Sequence, residues 1–335
     1  MKKIWMPLLQ FAIGFALLAF ILLRLNHSGQ IRLLAQAFAQ AAHNWPWILA
    51  GTSIFGGCIM LCVWRWQYLL RSVQVLLPLR TLTLYYFIGQ FFNAFMFGAT
   101  GGDVVKAYYV AQATQYRRTE LFASVFIDRL IGLAALVVLI MAITLLRLKF
   151  FLATPIMRQA LWMNIILVAA ALAGAIVILV IEKRQPPPSA GPAAGRLMET
   201  LHRAYAPLRG CLRNRKLLAK VLCISCANHL GFIVAIMCLG RAVGIELEPV
   251  HYFTIFPVIN AIAALPITPG GLGARDQAAI YLLGVVQVAA VAALTLSLLV
   301  YAATLFWSLA GGVVYLLYTW RSGIRVTPEN VAAKA

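Results

Sequence analysis

Six stretches of the chain stay apolar for about the 20 residues that a helix needs to cross a hydrocarbon layer of roughly 30 Å. They are residues 4–23, 45–64, 121–146, 161–181, 217–239 and 288–318. Two further stretches are apolar but interrupted. Residues 81–116 break at Gly101-Gly102, and residues 250–286 break at Pro266 and again at Pro269-Gly270-Gly271-Leu272-Gly273. The pattern predicts an all-α polytopic membrane protein with about six full transmembrane helices and two broken, re-entrant helical hairpins. The basic start Lys2-Lys3 resembles a signal peptide, yet Arg24-Leu25-Asn26-His27 offers no small-residue cleavage site. The first stretch is therefore expected to remain as a span.

Composition agrees with the pattern. Of the 335 residues 63% are hydrophobic and 11% charged, and the mean hydropathy is +0.88; a soluble domain carries about 25% charged residues. The net charge of +19 does not call for nucleic acid, because basic residues crowd the cytoplasmic loops of membrane proteins and orient their spans. If both broken stretches return to the side they came from, twenty basic residues lie inside and six outside, with Arg129 and Arg275 at membrane depth. The inside set counts three basic residues between 65 and 80 and nine between 182 and 220. This sorting predicts that both termini face the cytoplasm.

The two broken stretches also resemble each other. Tyr86-Phe87, Asn93-Ala94 and Gly101-Gly102 in the first match Tyr252-Phe253, Asn260-Ala261 and Gly270-Gly271 in the second, with spacings that differ by one or two residues. Each is preceded by a span and followed by a long one. The expected organisation is a single transmembrane domain: 1–44 first span and connector, 45–146 repeat 1, 147–216 linking span and cytoplasmic loop, 217–320 repeat 2, and 321–335 cytoplasmic tail. The two copies would enter the membrane from opposite faces, a plan that recurs in secondary transporters. Residues 185–195, rich in Pro, Gly and Ala, read as a stiff linker on the cytoplasmic side.

Ionisable groups at membrane depth cost about 2.5–3.5 kcal/mol each on insertion scales and so draw attention as functional candidates. Asp103 and Lys106 follow the first glycine break, Asp128 and Arg129 lie inside the 121–146 stretch, and Arg275 and Asp276 follow the second break. Adjacent residues point to different faces of a helix, so Asp128 and Arg129 need partners on other elements, whereas Asp103 and Lys106 can pair locally. Two readings stay open: a structural charge network of Asp103, Asp128, Arg129 and Asp276, and binding of an anion by Lys106 and Arg275. Helices that restart after Gly101, Gly102, Gly270 and Gly271 present unpaired N–H groups, which suits a phosphate at the confluence of both repeats. Asn93 and Asn260 are candidates for added hydrogen bonds, as are Gln90 and Thr268.

No catalytic constellation is evident. The chain lacks a phosphate-binding Gly-x-x-x-x-Gly-Lys-Ser/Thr loop, a His-Glu-x-x-His pair and a Gly-x-Ser-x-Gly elbow. Cys58, Cys62, Cys223, Cys226 and Cys238 fall in apolar runs and read as packing residues; His229 reads as a helix contact. Trp5, Trp45, Trp47, Trp64, Trp66 and Trp320 stand at span ends, where aromatic belts form. Neither a cofactor nor a metal is expected, and no enzyme activity of the chain itself.

Three motifs resemble the lysylphosphatidylglycerol synthase transmembrane region, a family of flippase-like membrane proteins found alone or fused to an aminoacyl-transferring domain. They are Pro269-Gly270-Gly271-Leu272-Gly273-Ala274-Arg275-Asp276, Ser124-Val125-Phe126-Ile127-Asp128-Arg129-Leu130-Ile131-Gly132, and Gly101-Gly102-Asp103-Val104-Val105-Lys106-Ala107-Tyr108. The chain departs from the family pattern in lacking a proline in Phe95-Met96-Phe97-Gly98, in carrying Lys106 where Arg is common, and in carrying Asp276 where Glu is usual. The resemblance implies movement of a lipid with an anionic or phosphate-bearing head group between leaflets of the cell inner (cytoplasmic) membrane of a bacterium. The alternative is a membrane subunit of a lipid glycosyl- or acyl-transferase system, which would call for a membrane or cytoplasmic transferase as partner.

Overall fold

The structure, a computed structural model, describes residues 2–27, 29–95, 101–114, 118–183, 214–264, 268 and 271–322. Gly270, Pro266, Pro269 and most of the 182–220 loop lie outside the described residues. Twelve helices and no strand occur among the described residues. In chain order they are α1 Lys2–His27, α2 Ile31–His43, α3 Trp45–Ser72, α4 Leu79–Phe95, α5 Gly101–Thr114, α6 Arg118–Leu146, α7 Leu148–Ala153, α8 Pro155–Lys183, α9 Arg215–Ala242, α10 Pro249–Ala264, α11 Ala274–Gly284 and α12 Ala290–Ser322. Five of them, α3, α6, α8, α9 and α12, are long and apolar enough to cross a membrane. The sixth expected span, α1, is a helix of 26 residues, about 39 Å long.

Two four-helix units repeat, α3 to α6 and α9 to α12, and their first connectors have the same backbone. The N–H groups of Val73 and Val243 donate to the carbonyls of Leu70 and Gly240, both at 3.1 Å. Those of Val75 and Ile245 reach back to the same two carbonyls at 3.0 and 2.9 Å. Between them Gln74 and Gly244 both take positive φ, 63° and 81°. This left-handed closure caps the helix end and reverses the chain.

The opening helices of the two units run antiparallel. Gly51 faces Ala235 and Leu239, Cys58 Sγ donates to the Asn228 carbonyl, Arg65 reaches Ser225, and Leu69 packs with Val221. Advancing along α3 thus retreats along α9. Because each hairpin leaves from the C-terminal end of its unit's first helix, the two hairpins enter from opposite faces.

The hairpins are too short to cross. Helices α5 and α11 have 14 and 11 residues, about 21 and 16 Å of rise. In the first, Gly102 N–H donates to Asn93 Oδ1 at 2.9 Å, and Tyr109 stacks on Tyr85 with ring centroids 5.3 Å apart. Helix α5 therefore retraces α4. The backbones touch at Gly89 and Gly102, where a Cβ on Gly102 would overlap the Gly89 carbonyl oxygen. In the second hairpin Gly271, at φ 74°, turns against Ala263. Helix α12 braces both: Ser297 holds α11, while Gly311 lies against the Phe87 carbonyl of α4 and Gly312 against the Phe91 ring.

Three expectations change. Helix α3 continues past Trp64 to Ser72, so Arg65 is a buried helical residue and not one of the loop cations. Trp66 is fully buried, its indole N–H donating to Ser124 Oγ at 3.3 Å, and takes no part in a belt. The connectors fix the repeat at an offset of 170 positions (Val73 with Val243), which places Asn260 opposite Gln90, not opposite Asn93. The letter match at the asparagines was one helical turn out of register.

The close α4–α5 contact gives a direct test. Gly102→Ala should lower the melting temperature in detergent sharply, because neither backbone can withdraw and overpacking costs about 1–3 kcal/mol or more. Gly57→Ala, where nothing lies within 4 Å of the added carbon, should melt with the parent or slightly above it.

Candidate functional site

The membrane-depth charges gather in three clusters. In the first, Arg65 on α3 grips Asp128 on α6 with two bonds, Nε to Oδ1 at 2.7 Å and Nη2 to Oδ2 at 3.0 Å. Its Nη1 donates to Ser225 Oγ on α9 at 3.0 Å. Gly132 makes room, since a Cβ there would sit 3.1 Å from Nη1. Its carbonyl also meets His229 Nε2 at 3.0 Å. One planar guanidinium thus ties α3 to α6 and to α9, across the two repeats.

The second cluster lies at the first hairpin. Asp103 accepts from Lys106 Nζ at 3.0 Å, one turn along α5, and from Arg129 Nε on α6. The Lys106 ammonium lies over the rings of Tyr86 and Trp66, 4.6 and 5.1 Å from their centroids, so aromatic faces replace water around it. Lys106 is 4% exposed as a side chain and Arg129 44%.

The third cluster lies at the second hairpin. Asp276 Oδ2 accepts from Gly273 N–H at 2.8 Å, capping α11, and its Oδ1 accepts from Ser297 Oγ at 2.5 Å. Arg275 donates through Nε to Ser297 Oγ and through Nη2 to the Ser297 carbonyl, both at 3.0 Å, beside the Tyr301 ring. Its side chain is 9% exposed.

Lys106 and Arg275 do not converge on one cavity. Arg275 meets α12 at Ser297, whereas α4, which flanks Lys106 through Gly89 and Tyr86, meets α12 at Gly311. These levels are about 21 Å apart along the helix. Gly101 and Gly102 open α5, Gly271 precedes α11, Asn93 caps α5, and Asn260 is half-buried on α10. Gly270 lies outside the described residues. Thr268 is buried.

The sequence model of the lysylphosphatidylglycerol synthase TM region matches residues 8–312. The chain belongs to that family. No curated protein sequence matches it. The match takes in the first repeat, all three charge clusters and most of α1 and of the second repeat, and membership of the family points to a membrane lipid-related function.

Asp128 and Arg129 illustrate how far sequence reasoning reaches in this family member. Their opposite orientation required partners on two other elements, and they find them on α3 and α5. Arg65 escaped because the apolar run, read by composition, ends at Trp64. Its signal is the helical setting: Leu61, Cys62, Tyr68 and Leu69 stand three and four positions to either side.

Asp128→Asn should destabilise the protein by about 3–5 kcal/mol, because it leaves the buried Arg65 without its counter-ion. Arg65→Met should do similar harm, while the double variant Arg65→Met/Asp128→Leu should recover most of the loss. Thermal melting in one detergent would measure all three.

Proposed function

We propose that the protein carries an anionic or phosphate-bearing lipid between the leaflets of the cytoplasmic membrane, engaging the head group at Arg129 beside the first glycine turn. Both termini face the cytoplasm in this reading, and the chain does no covalent chemistry on its cargo. The observation that carries the reading is the exposure of Arg129, whose side chain is 44% accessible where those of Lys106 and Arg275 are 4% and 9%. Arg65 with Asp128, and Arg275 with Asp276, are neutral pairs, whereas Asp103 faces two cations. Of the two cations on Asp103, Arg129 is the one that a head group can reach.

The setting of Arg129 supports this. It shares a face of α6 with Phe126 and Leu133, both exposed, so the guanidinium borders apolar surface that suits lipid tails. A head group crossing hydrocarbon alone would meet a steep desolvation cost. A cation at the edge of a protein-enclosed turn offsets part of that cost while the tails stay in lipid. Hairpins inverted across the membrane are the elements from which transporters build access to either side. Lys106 and Arg275, both buried and engaged, hold the broken helices in place.

Purified protein in vesicles with fluorescent phospholipids or polyprenyl phosphates in one leaflet should show protein-dependent transfer. Arg129→Gln should lower that transfer at least about ten-fold, the size of one lost charge-assisted hydrogen bond, with little change in melting. Transfer unaltered by the variant would overturn the assignment of Arg129. A modified lipid appearing when a sugar or acyl donor is supplied would overturn transport in favour of a transferase subunit.

A further inference from the structure

Away from the charge clusters, α6 and α8 part and leave a groove of about 280 Å³. It is about twice the roughly 150 Å³ cavity that takes up benzene. Met141, Leu145, Ile165 and Leu172 give it apolar walls, and two polar side chains, Thr144 and Asn164, also line it. Thr144 lies some 22 Å along α6 from Arg129, so this is a separate place in the molecule.

Asn164 is the unusual feature. Only 2% of the residue is exposed. Its Nδ2 donates to Thr144 Oγ1 at 3.0 Å, and its Oδ1 is buried with no hydrogen-bond partner. Exchanging the amide's O and N does not cure this, since one hydroxyl cannot satisfy both ends of a carboxamide. A buried polar atom of this kind needs a partner; Asn164 lines the groove, and a small turn of its amide brings Oδ1 within reach of a donor entering from there.

The depth of the groove says what kind of molecule that is. Thr144 is two residues from the C-terminal end of α6 at Leu146, next to the α7 turn, so the polar pair sits near one membrane surface. From Asn164 the groove follows α8 inward to Leu172, about 12 Å. A donor is wanted at the surface end and hydrocarbon beyond it. We propose that the groove binds a membrane lipid bearing a free hydroxyl at its interfacial end, the hydroxyl donating to Asn164 Oδ1 and the chain lying between α6 and α8. The site rests only on the chain residing in a bilayer and is independent of the transport reading.

The test compares each alcohol with its own methyl ether, which keeps the oxygen and the chain but lacks the donor. Full-length protein in detergent would be offered dioleoylglycerol, a polyprenol and their O-methyl ethers, and retained lipid measured by mass spectrometry. At least one alcohol should be retained roughly two- to ten-fold over its ether, the worth of one hydrogen bond. Retention of dioleoylglycerol alone would identify a glycerolipid, and of the polyprenol alone an isoprenoid. The preference should vanish in Asn164→Leu. A photoreactive dioleoylglycerol should label peptides containing Thr144 or Asn164 in the unaltered protein, with the alcohol and not the ether competing. Equal retention of alcohol and ether, a preference that survives Asn164→Leu, or labelling elsewhere would each overturn the proposal.

Discussion

Hydrocarbon offers no hydrogen-bond partner to a backbone N–H or carbonyl, and two hairpins here stop and turn inside a chain that is otherwise built to span. Much of the packing answers that constraint. The N–H groups that open a helix are its exposed donors, and each hairpin supplies its own acceptor, Asn93 for Gly102 and Asp276 for Gly273. The hairpin helices pack backbone against backbone as well as against side chains, which is why glycine stands at Gly89, Gly102 and Gly311. Helix α12 has 33 residues, enough to brace one hairpin near its start and the other near its end.

The buried charges serve the same enclosure, though not as simple stabilisers. A buried ion pair seldom outdoes apolar residues of the same shape, because desolvation of both ions offsets their attraction, whereas half a pair is very costly. What Arg65 adds is geometric. A forked donor with two bonds to Asp128 and one to Ser225 fixes the height of α6 against both α3 and α9. Two antiparallel apolar helices can slide past one another with little change in buried area. The guanidinium gives them one register.

Helices and breaks were legible in the sequence because both follow from local chemistry: apolar length for the spans, paired glycines for the turns. The resemblance between the repeats was legible too, but its register was not. Short letter matches in apolar sequence carry little information, and the device that the repeats share is a left-handed turn held by Gln74 in one and Gly244 in the other. Nothing in those letters matches. The ionic partners divide along similar lines. Local geometry was enough to require outside partners for Asp128 and Arg129, while the choice of Arg65 and Asp103 depended on tertiary packing. The exposure of Arg129 and the burial of Lys106 are likewise properties of the assembled hairpin, which residue types alone do not reveal.

An inverted repeat in backbone need not be one in chemistry, and the fourth helices of the two units make the difference. Helix α6 brings Asp128 and Arg129 to the first hairpin, whereas α12 carries no Asp, Glu, Lys or Arg between Ala290 and Trp320 and meets the second hairpin with serine. The second cluster must therefore be neutral within α11 and closed. In the first, Asp103 accepts from two cations, Lys106 and Arg129. In the proposed cycle a lipid phosphate competes with Asp103 for Arg129, and Lys106, one turn away in its aromatic surround, keeps the carboxylate paired. Capturing the anion then leaves no bare buried carboxylate, the state whose cost would otherwise oppose binding. The same exchange at Arg275 would strip Asp276 of its cation and disturb the serine that caps the pair, so the second hairpin is suited to holding its shape and the first to handling charge.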